Sequence, residues 1–347
     1  IESIKIADGN DKDKTRDAIP SILSDALSVS FDEHVGHDYI IDASNRYDFY
    51  TRQEDKIPFD LDLFNKITKG GLPNKTLNVA LAGTGVGKSL FMCHMAASTL
   101  LQGKNVLYIT LEMAEERIAE RIDANLLSVN IKDLSTFPKA IYESKIKSLA
   151  KKTQGKLIIK EYPTASAHAG HFRSLLNELS LKKSFTPHII FIDYLNICSS
   201  SRYKSSLVNS YTYVKAIAEE LRGLAVEANV PIVSATQTTR SGYGSSDIDL
   251  TDTSESFGLP ATADFMFALI STEELENLNQ IMVKQLKNRY NDPTANKRFV
   301  IGIDRSRMKL YDVEESAQVN IVDSGQDEEY DFEKHYKPSD KFASFKI

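Results

Sequence analysis

Val79-Ala80-Leu81-Ala82-Gly83-Thr84-Gly85-Val86-Gly87-Lys88-Ser89-Leu90-Phe91-Met92 passes from an apolar strand through a glycine-rich turn into a helix. Against the pattern G-x-x-x-x-G-K-[ST] it is a phosphate-binding loop whose first glycine is replaced by Ala82. Gly83, Gly85 and Gly87 let the backbone, with Thr84 and Val86, turn its N–H groups inward, and the helix N-terminus adds partial positive charge. Lys88 then reaches the β- and γ-phosphates of a nucleoside triphosphate, and the Ser89 hydroxyl offers a ligand to Mg²⁺. An ordinary surface turn would not need a buried strand before it and a helix directly after it.

A phosphate loop of this kind needs carboxylates at the same edge of the sheet. The pattern after the loop alternates strand and helix, which predicts an α/β fold with a mostly parallel central sheet and helices on both faces. A strand over 105–111 ends at Glu112, where a helix over 114–127 begins. Glu112 has two readings from position: an acid favoured by a helix N-terminus, or the base that deprotonates a water attacking the γ-phosphate. Helical patterns near 139–152 and 168–182 flank a strand over 156–162. Ile189-Ile190-Phe191-Ile192-Asp193 is a buried-strand run ending in a carboxylate, the Walker B pattern, which places Asp193 near Mg²⁺. Arg202 and Lys204 follow in a polar stretch, then a helix over 209–229 and a strand from 231 that ends at Thr236-Gln237. Gln237 stands at the strand end expected of a γ-phosphate sensor. The segment from Thr239 to Gly258 is rich in small polar residues, as a functional loop or a plain solvent-exposed one would be. Strands near 263–271, 280–287, 298–303 and 307–312 predict an antiparallel extension, and Lys287-Asn288-Arg289 puts two cations on one face at the mouth of a turn.

With 347 residues, 41% of them hydrophobic, the chain can build one large domain with appendages or two ordinary domains, and wholesale disorder is excluded. A net charge of −6 argues against a basic DNA-coating protein but not against a ring whose basic residues line an inner surface. Cys93 and Cys198 provide no disulfide framework or cysteine-rich zinc site. His34, His37, His168 and His171 lack a nearby third ligand. No signal peptide and no apolar run near the roughly twenty residues needed to span a bilayer is present, so the expectation is a soluble, cytoplasmic protein with no membrane partner.

Three regions follow: a linker over 1–56, an ATPase domain over 57–312 and an acidic tail over 313–347. Residues 7–17 are polar and charged. Ile19, Ile22, Leu23, Ala26 and Leu27 then recur at helical spacing, a stripe that packs on its own domain or on a neighbouring subunit. Residues 35–75 read as irregular. The tail carries acidic residues and no Lys or Arg from Asp312 to Glu333, a solubilising segment or the ligand of a basic partner.

Five motifs in order, Ala82 to Ser89, Thr110-Leu111-Glu112-Met113, Ile192-Asp193-Tyr194-Leu195, Ala235-Thr236-Gln237 with Arg240-Ser241, and Lys287-Asn288-Arg289, resemble the DnaB-like hexameric replicative helicases, the T-even bacteriophage members most closely. The resemblance spans about residues 57–312. It implies a RecA-like core, ATP and Mg²⁺ as cofactors, a homohexamer, and translocation 5′ to 3′ on single-stranded DNA, with primase and a helicase loader as partners and the host cytoplasm as location. It makes Glu112 the catalytic base, Gln237 the γ-phosphate sensor, Arg289 an arginine finger acting on the next subunit's ATP, and Lys287 its companion. The DNA contacts it suggests are Arg202, Lys204, Arg240, Ser241, Gly242, Ser254, Glu255 and Ser256. Ser254-Glu255-Ser256-Phe257 stands where family members often carry Arg-Glu-Ser-Gly. The family's N-terminal collar has no counterpart before residue 15, and the chain opens at Ile1, so the expectation is that this region lies outside the sequence. A RecA-type recombinase and a DNA-independent regulatory ATPase would share the core.

Overall fold

The computed structural model describes residues 37–51, 55–238 and 258–318, and the chain divides into two compact units, Ile1–Glu54 and Asp55–Ile347. In the first, helix α1 (Ala43–Thr51) is preceded by a turn in which the Asp38 carboxylate accepts from the backbone of Ile40 and Ile41. The 19–31 helix expected from the sequence lies outside the described residues.

The second unit is built on one nine-stranded sheet in the order β3-β2-β4-β5-β1-β6-β7-β8-β9. Its strands are β1 (Leu77–Ala82), β2 (Val106–Thr110), β3 (Leu157–Glu161), β4 (Ile189–Asp193), β5 (Ile232–Gln237), β6 (Phe265–Ile270), β7 (Gln280–Asn288), β8 (Arg298–Asp304) and β9 (Lys309–Asp312). Pairing is parallel from β3 through β6 and antiparallel from β6 through β9, as the pattern predicted.

The central strands are apolar without alternation because both faces are covered. On β1, Leu77, Val79 and Leu81 join one core with helices α6 (Ala169–Lys183) and α7 (Ser210–Ala228), through Phe172, Leu175, Ile217 and Leu221. Ala80 and Ala82 point the other way, into a core with helices α2 (Asp62–Thr68), α3 (Lys88–Leu101) and α4 (Glu115–Leu127). Helix α5 (Lys139–Lys152) buries no residue fully. Two five-residue helices, α8 (Gly258–Thr262) and α9 (Glu273–Asn277), precede β6 and β7. Among the described residues no helix is long and apolar enough to cross a membrane.

The described residues 37–51 and 55–75 are not irregular throughout, which corrects the sequence reading. Besides α1 they contain α2, whose Phe64 is fully buried and meets Phe59, Phe91, Phe267 and Phe299 at centroid distances of 4.9–5.6 Å. A seven-residue helix is marginal alone and exists here through these tertiary contacts. Gly71 closes the segment at φ 130°, where a Cβ would lie 2.3 Å from the Ile57 carbonyl oxygen, so only glycine allows the Ile57–Leu72 bridge.

Candidate active site

Between β1 and α3 the loop makes its turn with Gly85 at φ 77° and Gly87 at φ 139°, both in the region that favours glycine. The Lys88 ammonium folds back over this turn and donates to the carbonyls of Ala82 and Gly83 at 3.3 and 3.2 Å. Burial lowers its pKa, an effect opposed by the negative charges of Glu112 and Asp193. It is a buried cation held by two neutral carbonyls, which an anionic oxygen could replace.

The other predicted groups converge because four parallel strands end together. Register pairs Thr110 with Asp193 and Ala82 with Gln237, so Glu112, Asp193, Gln237 and the loop share the carboxyl edge where open α/β sheets bind ligands. Glu112 is exposed on the rim, and Glu112, Lys88, Ser89 and Gln237 line a cleft of about 440 Å³. Gln237 is steered by a hydrogen bond from its Nε2 to the Tyr194 hydroxyl at 3.3 Å.

Asp193 is 1% exposed, and burial raises its pKa while hydrogen bonding from Tyr108 and the nearby Ser89 hydroxyl oppose the rise. Its Oδ2 accepts from the Tyr108 hydroxyl at 2.9 Å, whereas its Oδ1 is buried with no hydrogen-bond partner. An orphaned carboxylate oxygen beside a serine hydroxyl fits a hard, oxygen-seeking cation, so Asp193 and Ser89 suit Mg²⁺.

Two residues of the cleft were missed by sequence reasoning. Arg121 lines it from α4, and its charge opposes the raised pKa of Asp193. It shares the buried helical face of Ile118, Ile122 and Asn125, so an arginine on an apolar stripe was the available signal. Arg305 comes from the turn between β8 and β9 and donates from Nη1 to the carbonyls of Gly85 and Val86, both at 3.2 Å. Its sequence neighbourhood carries no signal for that contact.

Lys287 and Arg289 lie elsewhere. Strand β7 runs antiparallel to β6, so its end returns to the start of β6, and the Arg289 amide donates to the Asp264 carbonyl at 3.0 Å. The Asp264 amide in turn donates to Leu77, the first residue of β1, at 2.8 Å. From there to Ala82 is the length of a six-residue strand, roughly 16 Å at the usual rise. Arg289 donates from Nη1 to Asp264 Oδ1 at 2.7 Å, and Arg222 grips the same buried carboxylate with two bonds of 3.1 Å. Lys287 donates to the carbonyls of Pro260 and Ala261 at 2.6 and 3.0 Å. Its pKa is lowered by burial and by the cations Arg289 and Arg222.

Of the residues predicted to meet DNA, Arg202 is engaged by Glu219 at 2.6 Å and Glu220 at 3.5 Å, and Lys204 is exposed. Arg240, Ser241, Gly242, Ser254, Glu255 and Ser256 lie outside the described residues.

Residues 57–306 match the family described as DnaB-like helicase C terminal domain. The DnaB-like replicative helicase of Enterobacteria phage T4 is 49% identical over 315 residues, 89% of this chain and 66% of that protein. The replicative DNA helicase DnaB of Helicobacter pylori strain 26695 is 28% identical over 207 residues, 57% of this chain and 40% of that protein. This chain thus spans just under two thirds of the phage relative and less than half of the bacterial one. A solved DnaB-like replicative helicase, described with its interactions with primase, superposes with a TM-score of 0.67 at 17% identity over 90% of this chain and 76% of its own. A solved ATPase domain is covered over 100% of its length, with a TM-score of 0.65 at 18% identity over 80% of this chain. The mostly parallel nine-stranded sheet is therefore that of a RecA-like fold, and residues 57–306 place the chain in the DnaB-like helicase family, by the match to that family's C-terminal domain.

Proposed function

We propose that this chain is the motor of an ATP-driven replicative DNA helicase, a ring of six that moves 5′ to 3′ on one DNA strand and excludes the other. Residues 57–312 form the motor, 1–56 the linker to a neighbour and 313–347 the acidic tail. The observation that carries the reading is the separation just described: Lys88, Glu112, Asp193 and Gln237 occupy one edge of the sheet, and Lys287 and Arg289 the other. A complete hydrolytic site then needs two chains, with the loop of one facing the opposite edge of the next.

In such an interface Lys88 and the loop amides hold the triphosphate and Glu112 takes a proton from the attacking water. Arg289 of the adjacent copy leaves Asp264 and stabilises charge on the transferring phosphoryl group, a contribution on the order of 10³ to 10⁵ in rate. Ser89 and Asp193 would hold the Mg²⁺ that accompanies the nucleotide, and the ion would supply charge neutralisation to the phosphates. Gln237 senses the γ-phosphate and passes its loss to the segment that begins at Thr239, which grips the DNA backbone without regard to sequence. Primase and a loader are the protein partners this reading implies.

A DNA-stimulated ATPase assay coupled to unwinding of a forked duplex separates this reading from a recombinase or a DNA-independent ATPase. Within it, Arg289→Ala and Lys88→Ala chains are each nearly inactive, yet mixed rings regain part of the hydrolysis, because some interfaces pair an intact loop with an intact Arg289. Mixed rings shown to form by sedimentation and still unable to hydrolyse ATP would remove Arg289 as a residue acting in trans.

A further inference from the structure

Tyr108 is fully buried in the middle of a parallel sheet, a place where a hydroxyl is costly unless it has a partner. Strands β2 and β4 are in register with Tyr108 opposite Phe191, and the two rings stack at 5.9 Å and 18°. Residues two apart on a strand share a face, so Asp193, two beyond Phe191, lies on the face of Tyr108 and within reach of its hydroxyl. A phenol has a single proton to give, and it goes to Asp193 Oδ2 at 2.9 Å. On the far side the Cys93 thiol, itself fully buried, donates towards the same hydroxyl with Sγ at 3.9 Å. The hydroxyl is thus turned one way. It occupies one oxygen of the Asp193 carboxylate and leaves the other, Oδ1, buried with no hydrogen-bond partner.

We propose that Tyr108 is a positioning residue for the metal: by taking Oδ2 it fixes the rotation of the Asp193 carboxylate, so that Oδ1 alone is presented to the Mg²⁺ that accompanies the nucleotide. The inference rests on the reading of Asp193 as the Mg²⁺ acid. Without the phenol, the carboxylate divides its time between orientations and leaves a buried oxygen unsatisfied. Outer-shell partners of metal ligands typically change metal affinity by about 10–100-fold when removed.

The test is made on the full chain with a fluorescent, non-hydrolysable ATP analogue, bound first with EDTA and then with rising Mg²⁺. Tyr108→Phe is expected to leave the affinity in EDTA unchanged and to raise the Mg²⁺ concentration for half-maximal enhancement by about tenfold. A merely structural tyrosine would lower the melting temperature without moving this Mg²⁺ dependence, and a half-maximal Mg²⁺ concentration within twofold of the parent overturns the proposal. Asp193→Asn separates the two levels: if it too leaves the Mg²⁺ dependence intact, the metal reading of Asp193 fails; if it abolishes the dependence while Tyr108→Phe does not, only the role of Tyr108 fails. Should Tyr108→Phe not fold, 3-fluorotyrosine placed at position 108 keeps the hydroxyl. Its fluorine resonance is expected to shift when Mg²⁺ is added to the analogue-bound protein, and an unmoved resonance overturns the proposal.

Discussion

Lys88 and Glu112 sit in one cleft but would fail differently. Lys88→Ala removes a charge that touches phosphate, so nucleotide binding and hydrolysis are both lost. Glu112→Gln retains a side chain of the same shape on the rim and keeps nucleotide affinity within about twofold, while hydrolysis falls by about 10² or more, the scale of general-base catalysis. Equal loss of affinity in both variants, read by a fluorescent nucleotide, would sink the assignment of Glu112 as base. These two residues, with Asp193 and Gln237, were legible in the sequence as neighbours at one sheet edge because each closes a strand, stands just past one or follows a glycine turn. Tyr108, Arg121, Arg305 and Asp264 were not. Tyr108 matters through the register of β2 against β4, Arg305 through a turn that returns to the loop some two hundred residues later in the chain, and no local pattern encodes either distance.

Elements show the same division between local and non-local information. The strands and long helices of the core were legible from periodicity. Helix α2 was not, since its stability comes from phenylalanines on α3, β6 and β8 rather than from its own seven residues. At the start of α6 stand two histidines that the sequence reading left without a third metal ligand and without a structural task. His168 Nδ1 accepts from the Gly170 amide at 3.0 Å, while the His168 amide donates to His171 Nδ1 at 3.3 Å, a capping box made of imidazoles. Both acceptor nitrogens must be unprotonated. The pKa of His168 is lowered by burial and by His171, so the unfolded chain takes up the proton first as pH falls. Stability from this cap is therefore full above the ordinary histidine value near 6.5 and declines as pH drops below it towards the lower folded value. Hydrogen exchange at Ala169–Phe172 is expected to quicken as pH falls below the ordinary histidine value of about 6.5, with a loss on the order of 1 kcal/mol for the cap. Exchange that follows only the intrinsic pH dependence would rule this out. A Cβ on Gly170 would meet the His168 ring at 2.7 Å, so Gly170→Ala should mimic acid by displacing the cap at neutral pH.

At the scale of the molecule, the proposed division of the site between two edges of one sheet would make hydrolysis a property of the assembly. Turnover per chain is expected to fall on dilution while nucleotide binding to the Lys88 loop persists. Leu27→Asp, in the helix expected from sequence and outside the described residues, should move that fall to higher protein concentration. Parallel sedimentation and ATPase measurements check it, and constant turnover through the range where single chains predominate would contradict the divided site. One feature bears on timing within such an assembly. Gln237 closes β5 beside the end of β1, while at the other end of the sheet the Pro260 and Ala261 carbonyls of α8 hold Lys287. On the proposed reading Gln237 and Lys287 answer to two different ATP molecules, one on each side of the subunit. Each subunit then reads two inputs, and six of them in a circle share every input with a neighbour, so that the phase of each step is inherited from the one before it.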